Sequence, residues 1–229
     1  MNSTTTGFLL SYLKYGDNDA VLQCFTEDNG YESFFLKGVY SAKNKKKAYL
    51  QPLNKLSFHF SLKSSGSIKN ISKIELIENC DTANDMKINT MVFFVADFLN
   101  QVLRNESRNI TVYSEISELI NQLKSGNNQS HLIFLFKILK NQGIHPLNNE
   151  HPYLDPESGV FKPQESHHLF DVGISDIWKE LSVAENFYAI NITAKHRRKF
   201  LESLLVYYHF HFTDFRTPQS LEIVQQIFN

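Results

Sequence analysis

Cysteine is almost missing from this chain: Cys24 and Cys80 are the only two in 229 residues. That excludes a disulfide framework and any four-cysteine zinc site, and leaves two buried free thiols as the expected state. Long apolar runs are missing too. The longest, from Met91 to Leu99, is broken by Asp97 and is too short to span a bilayer. The opening Met1-Asn2-Ser3-Thr4-Thr5-Thr6 lacks the basic-then-apolar pattern of a secretion signal, so a cytoplasmic chain with no membrane partner is expected. No Walker-type glycine loop, Gly-x-Ser-x-Gly elbow or His-Glu-x-x-His helix occurs. The carboxylates Asp17, Asp19, Glu27 and Asp28 fall in turn-forming surroundings, which explain them without acid–base chemistry. Neither an enzyme nor a cofactor is expected.

What is present is aromatic and apolar. Nineteen Phe, ten Tyr and 42% hydrophobic residues supply a core large enough to fold unaided, and the length suits two ordinary domains. Charge is unevenly spread. Residues 1 to 79 carry ten lysines and no arginine against seven acidic residues, a net +3, whereas the whole chain is at -1. Five of those lysines, Lys37, Lys43, Lys45, Lys46 and Lys47, crowd into "KGVYSAKNKKK" with no acidic residue among them.

The front reads as strands and turns. "GFLLSYLKY" (7–15) and "AVLQCFTED" (20–28) flank the turn formers Gly16 to Asp19, and Asn29-Gly30 suits a type I′ turn before "YESFFLKG" (31–38). "LNKLSFHFSLK" (53–63) alternates Leu56, Phe58, Phe60 and Leu62 with polar residues, the period of a half-buried strand. After Ser64-Ser65-Gly66, "SIKNISKIELIE" (67–78) alternates imperfectly, as a bulged fifth strand would. Five short strands with a long link between the third and fourth fit a small closed barrel of the OB type, because closure removes sheet edges.

The remainder reads as helical. Apolar stripes at helical spacing run through 86–105, 110–126, 130–143, 194–212 and 220–228. Ser130, Thr193 and Ser220 are candidate N-caps, and Gly126 and Gly143 candidate stops. The fold class is therefore α+β: an OB-fold domain over 1–79 and an all-α helical domain over 80–229, the latter with a cysteine-less loop at 145–172.

OB barrels bind single strands through a basic groove that follows phosphates and aromatic faces that stack bases. The lysine run is interleaved with Tyr40 and Tyr49. Compact ammonium groups contact phosphate without reading bases, so sequence-independent, salt-weakened binding is expected. Ordinary solvated surface for the lysines, and strand-end packing for the tyrosines, are the competing readings. A second basic cluster, Lys195, His196, Arg197, Arg198 and Lys199, opens a helix where cations oppose the macrodipole. A solvated helix face competes there with a DNA or acidic-tail contact.

A basic barrel carrying "YGDNDAVLQCFTEDNG" (15–30), Lys37-Gly38 and "LQPLNKLSF" (50–58), followed by "DPESGVF" (155–161) and the Pro218 to Leu221 ending, resembles the RecO family of bacterial recombination mediators along its whole length. The resemblance implies binding of single- and double-stranded DNA, annealing of complementary strands, and cooperation with RecR in loading RecA onto strands coated by single-stranded DNA-binding protein. It also implies contact with the acidic C-terminal tail of that protein. Carried onto this sequence, the DNA-facing barrel surface is the lysines beginning at Lys37, with Lys43, Lys45, Lys46 and Lys47; the residues' own pattern adds Lys14 and Tyr40 beside them, and Arg197, Arg198 and Lys199 in the helical part, as candidate DNA contacts. Two departures stand out. Tyr40 occupies a place where the family often has arginine, and the four-cysteine zinc module of many members is replaced by "HPYLDPESGVFKPQESHHLF" (151–170). His151, Asp155, His167 and His168 are acceptable ligand types without the spacing of a closed site, so no metal is expected. An RNA-binding OB protein and an interaction scaffold with little DNA affinity are the alternative functions.

Overall fold

The computed structural model describes residues 2–61, 68–80 and 85–227. The chain forms two compact units, Met1–Ser114 with Pro218–Val224, and Glu115–Thr217 with Gln225–Asn229.

The first unit is built on five strands: β1 (Asn2–Tyr15), β2 (Asp19–Thr26), β3 (Gly30–Leu36), β4 (Lys55–Ser61) and β5 (Ile68–Glu78). They close in the order β1-β2-β3-β5-β4, with β1 pairing antiparallel to both β2 and β4 and β3 pairing parallel to β5. This is the five-stranded Greek-key barrel of the OB fold. The alternation in β4 buries Leu56, Phe58 and Phe60 and turns Lys55, Ser57 and His59 outward. Phe34 stacks on Phe58 at 4.5 Å in the barrel centre. Each such ring contributes roughly 1.5–3 kcal/mol by leaving water. The fifth strand is bulged as its pattern suggested, its register against β4 slipping between Lys55 and Leu56 and again between His59 and Phe60. Leu62, Lys63 and the Ser64-Ser65-Gly66 turn lie outside the described residues.

Two details differ from the sequence reading. β1 begins at Asn2 rather than Gly7, because the threonine run pairs residue for residue with β4 up to Asn2 opposite Ser61. The β2–β3 turn is not type I′: Gly30 is left-handed (φ 79°) but Asn29 is not. Gly30 has a second constraint, since a Cβ there would meet Ser107 O at 2.3 Å and Glu106 O at 2.4 Å. The neighbouring Tyr31 N–H donates to Glu106 O at 2.9 Å, which ties 103–109 onto the barrel. Ahead of that segment lies α1 (Met86–Val102), started by Asp85, whose carboxylate accepts from Lys87 N and Ile88 N.

The chain then enters α2 (Ile110–Lys124), which continues into the second unit. There α3 (Ser130–Asn141) is buried on nearly every side. Gly126 (φ 82°) and Gly143 (φ 71°) end these helices in the left-handed conformation, as expected of C-terminal caps. Two elements escaped the sequence reading. One is α4 (Val172–Val183), capped by Asp171 and burying Ile174, Ile177, Trp178 and Leu181 at helical spacing. The other is a hairpin of β6 (Tyr153–Asp155) and β7 (Val160–Lys162), strands too short to announce a period. Residues 145–172 are thus not simply a polar loop. Next comes α5 (Ala194–His211), then the short α6 (Leu221–Ile227). Trp178 centres this unit, its ring 4.8 Å from Tyr207 and 5.5 Å from Phe136, with Nε1 donating to Ser203 Oγ.

The hydroxyl caps expected at Ser130, Thr193 and Ser220 do not form. α3 starts from Gln129, and Thr193 Oγ1 meets the His196 ring instead of a backbone N–H. Ser220 Oγ has no hydrogen-bond partner among the described residues. Asp85 and Asp171 do cap, and as anions they also complement the macrodipole. Among the described residues no helix is long and apolar enough to cross a membrane.

Candidate nucleic-acid interface

Residues 37–54 link β3 to β4 and hold the lysine run in place through apolar anchors at both ends. Val39, Leu50 and Leu53 are buried in the barrel, while Lys37, Lys43, Lys45 and Lys47 are exposed and Lys46 half-buried. Leu53 takes a left-handed conformation (φ 59°) that a leucine adopts only under constraint. The constraint is visible: Leu53 N–H donates to Leu9 O at 2.7 Å and Asn54 O accepts from Leu9 N–H at 3.0 Å. Asn54 is itself buried, its amide donating to Tyr49 O and accepting from Cys80 N–H.

Inside the link, Asn44 organises the lysines. Its Oδ1 accepts from Lys46 N–H at 2.9 Å and starts the 3-10 turn Lys45–Tyr49, while its Nδ2 donates to Gly38 O at 2.9 Å. Gly38, left-handed at φ 66°, donates its N–H to Asp19 on the β1–β2 hairpin. Tyr40 N–H donates to Asn18 O on the same hairpin. The lysine run is therefore docked on the hairpin tip, and Lys14 joins it from β1.

Tyr40 is where they converge. The Lys14 and Lys47 ammonium groups lie 5.7 and 5.8 Å from its ring centroid, within cation–π range. Burial, then nearby Tyr12, raises the Tyr40 phenol above its ordinary range, so it stays neutral. Tyr40 and Tyr49 both pack against the barrel core. Tyr12 and Tyr15, which the sequence did not single out, are 43% and 59% exposed on the same hairpin.

Among the described residues, no ion pair engages Lys14, Lys37, Lys43, Lys45, Lys46 or Lys47. The helix-opening cluster differs. Arg197 Nε donates to Ile192 O at 2.9 Å, Arg198 pairs with Glu202 one turn on, and Lys199 pairs with Asp171, the cap of α4. Those partners offset the unfavourable placement of cations at a helix start.

The His-containing stretch does not fit a zinc module. Among the described residues no group of three His, Cys, Asp or Glu side chains is placed to hold a metal ion. Asp155 is taken up by Lys162, Ser158 and Ser166, and the His167 and His168 rings stack on each other.

Comparison with known proteins follows the same division. Residues 1–80 match the family model "Recombination protein O N terminal". Over the full length of both chains, the protein is 26% identical to the DNA repair protein RecO of Flavobacterium psychrophilum. It is 28% identical over 98% of each chain to the DNA repair protein RecO of Christiangramia forsetii. Among solved structures, an asparaginyl-tRNA synthetase of Entamoeba histolytica overlaps 67% of this chain and 36% of that one, at a TM-score of 0.31 and 11% identity, too slight a likeness to bear on the fold. The barrel matched by the family model and the end-to-end likeness to RecO proteins together support the RecO family for this chain.

Proposed function

We propose that the protein acts in DNA repair as a recombination mediator: it binds single- and double-stranded DNA through the lysine-bearing end of its barrel and anneals complementary strands. With RecR it would help RecA load onto strands coated by single-stranded DNA-binding protein, whose acidic tail it contacts. The observation that carries the reading is the set of six lysines brought together by one link and one hairpin with no ion-pair partner among the described residues. An ammonium without an internal partner is free to replace the counterions of a phosphate chain. Annealing then needs no bond-making, since neutralised strands approach and base pairing drives the rest. The names of its relatives, DNA repair protein RecO, support the same reading. Arg197, Arg198 and Lys199 enter it as secondary contacts, because each already has a partner within its own unit.

The test is charge reversal. Replacing Lys43, Lys45, Lys46 and Lys47 together by Glu should weaken binding of a labelled single strand about a hundredfold or more at low salt and abolish annealing. Annealing that survives the replacement would contradict the proposal and favour a scaffold. Tighter binding of an RNA of the same sequence at matched salt would contradict it in favour of an RNA-binding role.

A further inference from the structure

The hairpin of β6 and β7 is too small to hold itself. Each strand has three residues, and a lone two-stranded hairpin is at best marginal in water. It nevertheless has a fixed seat: Leu154 and Phe161, paired across the hairpin, are 0% and 1% exposed, and Phe170 beyond them is fully buried. The helices meet its backbone as well. Leu154 N–H donates to Ser175 Oγ on α4 at 3.0 Å. From α5, Tyr207 OH donates to Ile144 O and His211 Nε2 to Pro156 O, both at 2.8 Å. Leu147 N–H closes the near side by donating to Gly159 O at 3.0 Å.

One carboxylate gathers the rest. Asp155 ends β6 and is 6% exposed. Its Oδ2 takes the Lys162 ammonium from β7 and the Ser158 hydroxyl from the turn, and its Oδ1 accepts from Ser166 Oγ at 2.9 Å. Its backbone oxygen accepts from Gly159 N–H at 3.0 Å. Three side chains from the turn, the second strand and the stretch beyond it thus converge on a single buried charge. A structural metal does the same with reversed polarity: there a cation gathers thiolates or imidazoles, here an anion gathers an ammonium and two hydroxyls. The resemblance to RecO proteins implies a four-cysteine zinc module in this part of the chain, and the residues present do not fit one. Cys24 and Cys80 both belong to the other unit, and among the described residues no group of three His, Cys, Asp or Glu side chains could hold an ion. His167 is already engaged, its Nδ1 accepting from Leu169 N–H at 3.2 Å and its ring stacked on His168.

We propose that Asp155 takes the place of a structural metal: it is the anionic cross-link that closes residues 144–170 onto α4 and α5, and it makes this part of the protein independent of zinc and of thiol oxidation. The inference stands apart from the DNA-binding reading, since every residue it uses belongs to the helical unit.

The experiment measures zinc content and hydrogen exchange at the Leu147, Leu154 and Gly159 amides in the full-length protein, with and without EDTA. The purified protein should carry no stoichiometric zinc, and EDTA should leave the exchange of all three amides unchanged. Asp155→Ala should speed their exchange about a hundredfold while keeping the helical circular dichroism of wild type. Ser166→Ala, which removes one donor and leaves the charge paired with Lys162, should speed it about tenfold. One equivalent of zinc whose removal speeds the same amides would overturn the proposal, as would wild-type exchange in Asp155→Ala. Should Asp155→Ala fail to fold, Ser166→Ala decides, and wild-type exchange there would overturn the proposal too.

Discussion

Lys43, Lys45 and Lys47 hold their ammonium groups in solvent, on a link pinned by Val39, Leu50 and Leu53 beneath them. Arg197, Arg198 and Lys199, as densely charged in sequence, are each tied to an oxygen of their own unit: Ile192 O, Glu202 and Asp171. In the barrel unit, apolar anchors and backbone hydrogen bonds fix the basic link, so its charges are free for an external anion. In the helical unit the charges are themselves part of what holds the helices. A run of Lys and Arg in sequence is thus poor guidance to a binding surface until the nearby acids are located.

The contrast can be attacked from either side. The largest effect is expected on the barrel side from a steric change rather than a charge change. Gly30→Val would set a Cβ against the Ser107 and Glu106 carbonyls and force a β-branched residue to φ 79°, which should cost about 3 kcal/mol or more in denaturant unfolding. A loss under 1 kcal/mol, by the same rule, would mean that 103–109 is not bound to the barrel as described.

On the helical side, protonation should do what it cannot do in the barrel link. Burial, then the charge of Arg197, holds the His131 imidazole down to about 3. The unfolded chain protonates that histidine near its ordinary value of about 6.5. The folded state therefore binds fewer protons, and stability falls as pH drops below about 6.5 until the folded value is reached. Between pH 7 and 5.5 this group should remove about 1 kcal/mol, and His131→Gln should flatten the pH dependence by that amount. An equal dependence in both proteins would mean that burial in the fold does not hold the His131 ring neutral. Further down, burial opposes the Asp155 charge, but hydrogen bonds from Lys162, Ser158 and Ser166 outweigh it and hold the carboxyl at about 2. Its contribution is present above about pH 4 and lost between there and pH 2.

A smaller effect sharpens the comparison. Asp171→Ala removes both the cap of α4 and the partner of Lys199 and should cost about 1 kcal/mol. Neutralising Lys43, Lys45, Lys46 and Lys47 should cost less than about 0.5 kcal/mol, because none has an ion-pair partner among the described residues and only Lys47 meets an aromatic ring, that of Tyr40. Thermal melts of the two variants decide it, and equal losses would erase the distinction.

The barrel was legible because its strands carry a two-residue period and its turns their glycines: β4 and the bulged β5 follow directly from which of Leu56, Phe58, Phe60, Ile71 and Ile74 are apolar. Closure through the parallel β3–β5 pair was implied only by counting strands. What the sequence concealed has physical causes. The hairpin β6–β7 is held by side chains around Asp155 rather than by a pattern. In α4 the apolar stripe of Ile174, Ile177, Trp178 and Leu181 was present but went unread beside the polar, histidine-containing stretch before it. At the site, the lysines were plain, whereas the exposure of Tyr12 and Tyr15 depends on the register slip between Leu9 and Ser11, which changes the face that later β1 residues present. No local signal in "GFLLSYLKY" marks that slip. Near Arg197 to Lys199, only the Arg198–Glu202 pair, four residues apart on one helix, is readable from sequence; that Arg197 meets Ile192 O and Lys199 meets the distant Asp171 is not.

The most direct measurement compares the two basic clusters on one scale, the salt dependence of single-strand binding. Wild type, the Lys43, Lys45, Lys46 and Lys47 to Ala variant, and the Arg197, Arg198 and Lys199 to Ala variant are titrated with the same oligothymidylate at several salt concentrations. The slope of log affinity against log salt should become shallower by about 2.8 in the first variant and by less than about 0.7 in the second. A wild-type slope in the lysine variant, or a larger change from the helix-opening cluster than from the barrel link, would contradict the account.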